Sequence, residues 1–114
     1  MKKSEQDMSG CTDEELFRLV TQSEKSALII LFDRYAADLY SYILPLVRTR
    51  KSNNVTPEAV TQYILIDIFM RVWDNRKTLV VPVTIRAYLF SAAYNKAVDY
   101  MRYRKNYVMC KVSS

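Results

Sequence analysis

The sequence predicts an all-α domain, a small bundle of four helices. Three observations point there. The 114 residues hold one Gly and three Pro, too few special backbone positions for a turn-rich sheet protein. Apolar residues recur at three- and four-residue steps over long stretches, the spacing of a helix with one buried face. A Thr or Ser stands ahead of each stretch, where its side-chain oxygen can accept an unpaired amide of the first turn.

The first helix is expected from Asp13 to about Val20. Thr12 followed three places later by Glu15 is a capping-box pattern. Leu16, Phe17, Leu19 and Val20 supply its apolar contacts. Ser23 is read as the next cap. The second helix then runs from Glu24 to about Leu44, with Leu28, Leu31, Phe32, Tyr35, Leu39, Tyr42 and Ile43 as its buried stripe. Pro45 should end or kink it, because proline has no amide proton and clashes with the preceding turn. The polar run 48–54 reads as a connector.

Thr56 and Pro57 announce the third helix, which should reach about Asn75. Val60, Ile64, Ile68 and Val72 form one apolar row, and Leu65, Phe69 and Trp73 a second beside it. Tyr63, Ile66 and Met70 widen the arc further. So wide an arc predicts a central helix touched by several neighbours. It also predicts that part of the arc stays exposed as a partner surface, since one helix cannot bury every side in so small a domain. Residues 76–83 read as a packed loop rather than a strand, because Pro82 interrupts the apolar run. Thr84 caps a fourth helix expected to reach about Asn106. The whole reads as a tail over 1–12, one domain over 13–106 and a second tail over 107–114.

Composition removes several kinds of function. The chain has no His, and neither GxxxxGK[ST] nor GxGxxG occurs. Histidine catalysis and glycine-rich phosphate loops are therefore out. Cys11 and Cys110 lie far apart with no CxxC spacing, so no zinc site of the usual Cys/His kind is expected. The paired Glu14 and Glu15 stand at an exposed helix start, where capping and solubility explain them. Lys111 beside Cys110 can lower a thiol pKa, but no base accompanies it. The expectation is a protein that is not an enzyme, with no metal, cofactor or small-molecule substrate. No stretch resembles a secretory leader or approaches the roughly 20 apolar residues of a membrane helix. The reducing cytoplasm is the expected compartment.

The stretch from Arg86 to Lys111 is where binding chemistry concentrates. Leu89, Ala93, Ala97 and Tyr100 give one buriable face. Asn95, Lys96, Arg102, Arg104 and Lys105 fall largely off it, and Tyr88, Tyr94, Tyr100, Tyr103 and Tyr107 are laced through it. Net charge is +5, modest in size but concentrated here, with a second cluster at Arg48, Arg50 and Lys51. A basic helix laced with aromatics can hold a nucleic-acid backbone and stack unpaired bases. The plainer reading is a helix end kept soluble by charges that suit its dipole.

The order of these segments resembles region 2, the promoter-binding domain, of the extracytoplasmic-function group of bacterial sigma-70 factors. DEELFRLVTQSEKSALIILFDRYAADLYSYI is similar to the family's opening pair of helices. IDIFMRVWDNR resembles its Phe-xxx-Trp polymerase-binding helix, and RAYLFSAAYNKAVDYMRYRK its Asn- and Arg-bearing final helix. The similarity spans roughly Asp13 to Lys105. It implies a helical bundle whose third helix docks on a coiled coil of the largest subunit of core RNA polymerase. It also implies that the loop before the fourth helix, with that helix's first turns, grips the melted non-template strand of the promoter −10 element. An anti-sigma factor is a further partner the family brings with it. On matching positions, the resemblance makes Tyr63, Ile66, Asp67, Met70 and Arg71 polymerase contacts, and Phe69 and Trp73 mostly packing. Asn95 becomes a base-edge contact, and Arg86, Lys96, Arg102, Arg104 and Lys105 become phosphate contacts that set position more than sequence.

The chain departs from the family at places that matter. An acidic pair and a glutamine usually precede the Phe of the third helix, whereas Gln62, Tyr63 and Ile66 stand here. A basic partner would meet less complementary charge. The usual basic residue before Asn95 is Tyr94. The family's helix-turn-helix that reads the −35 element does not fall within these residues. A rival reading is a protein-interaction adaptor built on the same bundle, using the apolar third helix to bind a regulator or a second copy. A third is a structural helical domain with no nucleic-acid role.

Overall fold

The computed structural model of the chain describes residues 8, 10–48, 55–81 and 83–113, with side chains described through Arg102. Among the described residues four helices follow one another: α1 (Asp13–Thr21), α2 (Lys25–Arg48), α3 (Pro57–Asp74) and α4 (Ile85–Ser113). No strand occurs among the described residues, and the chain is an all-α, bundle-like domain. None of the described helices is long and apolar enough to cross a membrane.

Three of the helix starts follow the expected capping chemistry. Thr12 Oγ1 accepts from the Glu15 amide at 3.1 Å, and Glu15 Oε1 accepts from the Thr12 amide at 2.8 Å. Thr56 Oγ1 accepts from the Ala59 amide at 3.1 Å, with Pro57 opening the first turn. Thr84 Oγ1 does the same for Ala87 at 3.1 Å. Each such cap contributes about 1 kcal/mol.

Ser23 is a correction. It does not cap α2. Its φ of 67° puts it in the left-handed region, and it closes α1 instead. Its amide donates to Val20 O and the Glu24 amide donates to Leu19 O, the paired bonds of a Schellman ending. The Ser23 hydroxyl is bonded to Arg76 Nε at 2.9 Å, so it ties the α1–α2 turn to the end of α3.

Pro45 does not end its helix. Helix α2 continues through it to Arg48. Pro45 and Ser41, the residue whose carbonyl loses its partner, are both exposed, so water can take the missing bond. Continuing the helix carries Val47 into the core at 1% exposure and packs Leu46 against it. Tyr42, expected in the buried stripe, is 36% exposed and lies edge-on to Phe90 with centroids 5.2 Å apart.

The central helix is α2, not α3. It packs against α1, α3 and α4, whereas α3 makes its substantial contacts with α2 and α4 alone. Leu31, Leu39 and Ile43 of α2 lie at the centre with Leu16 and Val20 of α1, Ile64, Ile68 and Val72 of α3, and Leu89, Ala93 and Ala97 of α4. Phe69 is buried and meets Phe32 edge to face at 5.1 Å. The loop after α3 forms no strand among its described residues. Leu79 and Val81 pack on the core, and Val80 points to solvent.

The expected tail over 1–12 is structured at its C-terminal end. Met8 is fully buried and Cys11 nearly so. Arg34 Nη2 donates to Cys11 O at 2.7 Å, and Arg34 Nη1 pairs with Asp13 Oδ1 at 2.9 Å. Tyr35 donates its hydroxyl to Asp13 Oδ2. Burial, and then this bond to the carboxylate, push the Tyr35 phenol up to about 12. At the other end α4 passes the expected stop at Asn106 and runs to Ser113.

Candidate nucleic-acid interface and docking face

Helix α4 is held by small residues. Ala93 and Ala97 have no exposure and Leu89 almost none, so the helix backbone lies close against the bundle. A helix anchored on 89, 93 and 97 must turn 91, 94, 95, 98 and 102 away from that line. Ser91, Tyr94, Asn95 and Arg102 are accordingly exposed. Tyr94 stands 49% open beside Asn95. An amide that can pair with a base edge and an aromatic face that can stack on a base are thus presented together. Tyr88 and Tyr100 are half-buried against the core, as packing rather than stacking groups.

The expected cations divide. Arg86 is open to solvent and only loosely paired, its Nη1 standing 3.8 Å from Asp38 Oδ2 with both side chains about three-fifths exposed. Such a pair contributes roughly 0–1 kcal/mol. Its guanidinium also lies over the Phe90 ring at 4.8 Å. Arg102 is exposed. Lys96 departs from the expectation of an outward cation. Its side chain is 23% exposed, and its Nζ lies 2.6 Å from Asp67 Oδ2 on α3. The reason is geometric. Lys96 flanks the buried Ala93–Ala97 line, so its stem follows the α3–α4 seam, where Asp67 waits. The side chains of Arg50, Lys51, Tyr103, Arg104, Lys105, Tyr107, Cys110 and Lys111 lie outside the described residues.

Asp67 is the meeting point of α3 and α4. It also accepts from Arg71 Nε at 2.9 Å, one turn along α3. Partial burial alone would raise its pKa. The hydrogen bonds from Lys96 and Arg71 outweigh that and hold the carboxyl below its ordinary range. Arg71 keeps most of its side chain in solvent, at 64%.

The second surface is apolar. Because α3 is covered on two sides only, Tyr63, Ile66 and Met70 stay 45%, 54% and 53% exposed, as the width of the apolar arc predicts. Two adjoining hollows lie along the α2–α3 seam and share Phe32 and Ile66. One holds about 370 Å³ beside Ala37, Tyr40 and Gln62. The other holds about 190 Å³ between Ile29 and Met70. No charged side chain lines either. Ile29, half exposed, belongs to this face and was absent from the sequence reading. Its signal was an isoleucine one step off the buried stripe of α2.

The sequence-assigned contacts therefore fall into two groups. Tyr63, Ile66, Met70 and Arg71 share the outer side of α3, while Asn95 and Arg102 share the outer face of α4; Arg86, nine residues before Asn95, lies on the opposite side of α4 beside Asp38 of α2. Asp67 and Lys96 join the two groups. Comparison of the chain with family models, with curated proteins and with solved structures finds no match in any of the three.

Proposed function

We propose that the domain acts in transcription initiation as a sigma region 2-like module. It docks on core RNA polymerase through α3 and holds the melted non-template strand of a promoter −10 element on α4. The observation that carries this reading is the exposure of Asn95 and Tyr94 on a helix whose opposite line, Leu89, Ala93 and Ala97, is sealed in the core. That arrangement offers a base-reading amide and a stacking ring without any demand on packing. The likeness of the segment order to sigma region 2, which assigns Asn95 its base-edge role, supports the same reading.

The test is a titration of labelled single-stranded DNA carrying a −10-like element, with and without core polymerase, over a range of salt. Strand binding should weaken steeply with salt, and Arg102→Gln should flatten the slope by about 0.7, the loss of one phosphate contact. Asn95→Ala should lower discrimination between −10-like and scrambled strands about tenfold, while leaving the salt slope unchanged. Strand affinity that is absent, or indifferent to salt, in both settings overturns the reading.

A second reading, the protein-interaction adaptor, draws on a different observation. No carboxylate lines the hollow between Ile29, Ile66 and Met70, and the one at its edge, Asp67, is already paired with Lys96 and Arg71. In that case core polymerase or another protein binds, Ile66→Asp abolishes the binding, and DNA has no effect on it.

A further inference from the structure

One carboxylate joins the two surfaces. Asp67 belongs to α3, between the exposed Ile66 and Met70, and lies at the edge of the face that would meet a partner. Its Oδ2 holds Lys96 Nζ at 2.6 Å, and Lys96 is the immediate neighbour of Asn95 on α4. Both side chains keep about a fifth of their surface in solvent, so the pair lies at the mouth of the seam and not beneath it. Arg71 Nε sits 2.9 Å from the same oxygen. If Lys96 leaves, the carboxylate still has a cation beside it.

We propose that Asp67 holds Lys96 in reserve. A cationic partner seated on the α3 face takes up the carboxylate, and the freed ammonium joins the strand-binding surface beside Asn95. The inference rests on the reading of α4 as a strand-binding helix and adds a coupling between its two surfaces. The motion is small. Ala93 and Ala97 fix the backbone, and only the four-carbon lysine stem has to swing. The coupling is reciprocal, so a bound strand that captures Lys96 tightens the partner by the same factor.

The coupling can be read in the isolated domain, with a mixed-sequence single-stranded oligodeoxynucleotide as probe. Asp67→Asn mimics the occupied carboxylate. It should tighten strand binding several-fold at low salt and steepen the slope of log affinity against log salt by about 0.7, one added phosphate contact. The double variant Asp67→Asn/Lys96→Gln separates release of Lys96 from a simple gain in net charge. It should lose the added slope. Lys96→Gln alone should flatten the wild-type slope less than Arg102→Gln does, because Asp67 holds that ammonium back while no partner is bound. Equal flattening by the two variants would overturn the inference even if Asp67→Asn fails to fold. It is likewise overturned if Asp67→Asn binds like wild type or if its gain survives in the double variant. If neither wild type nor Asp67→Asn binds the strand at any salt, the strand-binding reading fails, and this inference with it.

Discussion

Ile66 and Leu39 are both large aliphatic residues on helices of one small bundle, yet truncating them should have very different effects. Leu39 has no exposed surface. Its replacement by Ala removes buried methyl groups and leaves a cavity, a loss of about 3 kcal/mol. Ile66 is 54% exposed. Full burial of an isoleucine is worth about 1.5–3 kcal/mol, so its half-covered side chain contributes roughly 1 kcal/mol. Alanine returns about 0.4 kcal/mol in helix propensity. The net loss for Ile66→Ala is then about 0.5 kcal/mol. For a chain of 114 residues, the unfolding entropy is roughly 0.24 kcal/mol per kelvin near the midpoint. Leu39→Ala should lower Tm by about 12 °C and Ile66→Ala by about 2 °C. Thermal melts followed by circular dichroism, at several protein concentrations, measure both. If Ile66→Ala melts as low as Leu39→Ala, the α3 face is covered in solution and the exposure argument is wrong. A Tm of wild type that rises with concentration would identify a second copy as the cover.

Two further predictions concern pH. The Asp67 carboxyl is held below its ordinary range, so its ion pairs stabilise the fold fully above about pH 4 and less as pH falls through the folded pKa. Asp67→Asn should therefore flatten the acid limb of stability against pH, and an unchanged limb would show the pairs are inert. Tyr35 moves the other way, since its phenol is pushed up to about 12. The folded state keeps that proton longer than the unfolded chain, so its contribution is complete below about pH 10 and is lost as pH rises towards about 12. Tyr35→Phe should show a shallower alkaline decline in urea midpoints than wild type; parallel declines would refute the link between Tyr35 and Asp13.

Much of the fold could be read from local chemistry. Thr12, Thr56 and Thr84 cap helices because a cap involves only residues within one turn. The exposure of Tyr63, Ile66 and Met70 followed from counting apolar positions around one helix. What escaped depended on contacts between segments. Pro45 is tolerated because Ser41, whose carbonyl it orphans, is exposed while Val47 gains a core site, and a local rule about proline contains neither fact. Ser23 ends α1 instead of opening α2 because the residues that decide its conformation lie behind it, in the last turn of α1. Lys96 looked like a free cation on its own helix, since the carboxylate opposite belongs to another. Met8 is buried because the bundle offers a place for it, which a polar leading segment does not reveal. For the candidate site, most residues of each surface were legible, but Ile29 and the tie between the surfaces were not.

The alanines beneath α4 have one more consequence. Alanine has no side-chain torsion to repack, so the line that fixes the helix is indifferent to what the opposite line carries. Positions 91, 94, 95 and 102 can therefore exchange one polar or aromatic group for another with the bundle left as it is. In such a domain the recognised sequence can diverge far faster than the scaffold that presents it.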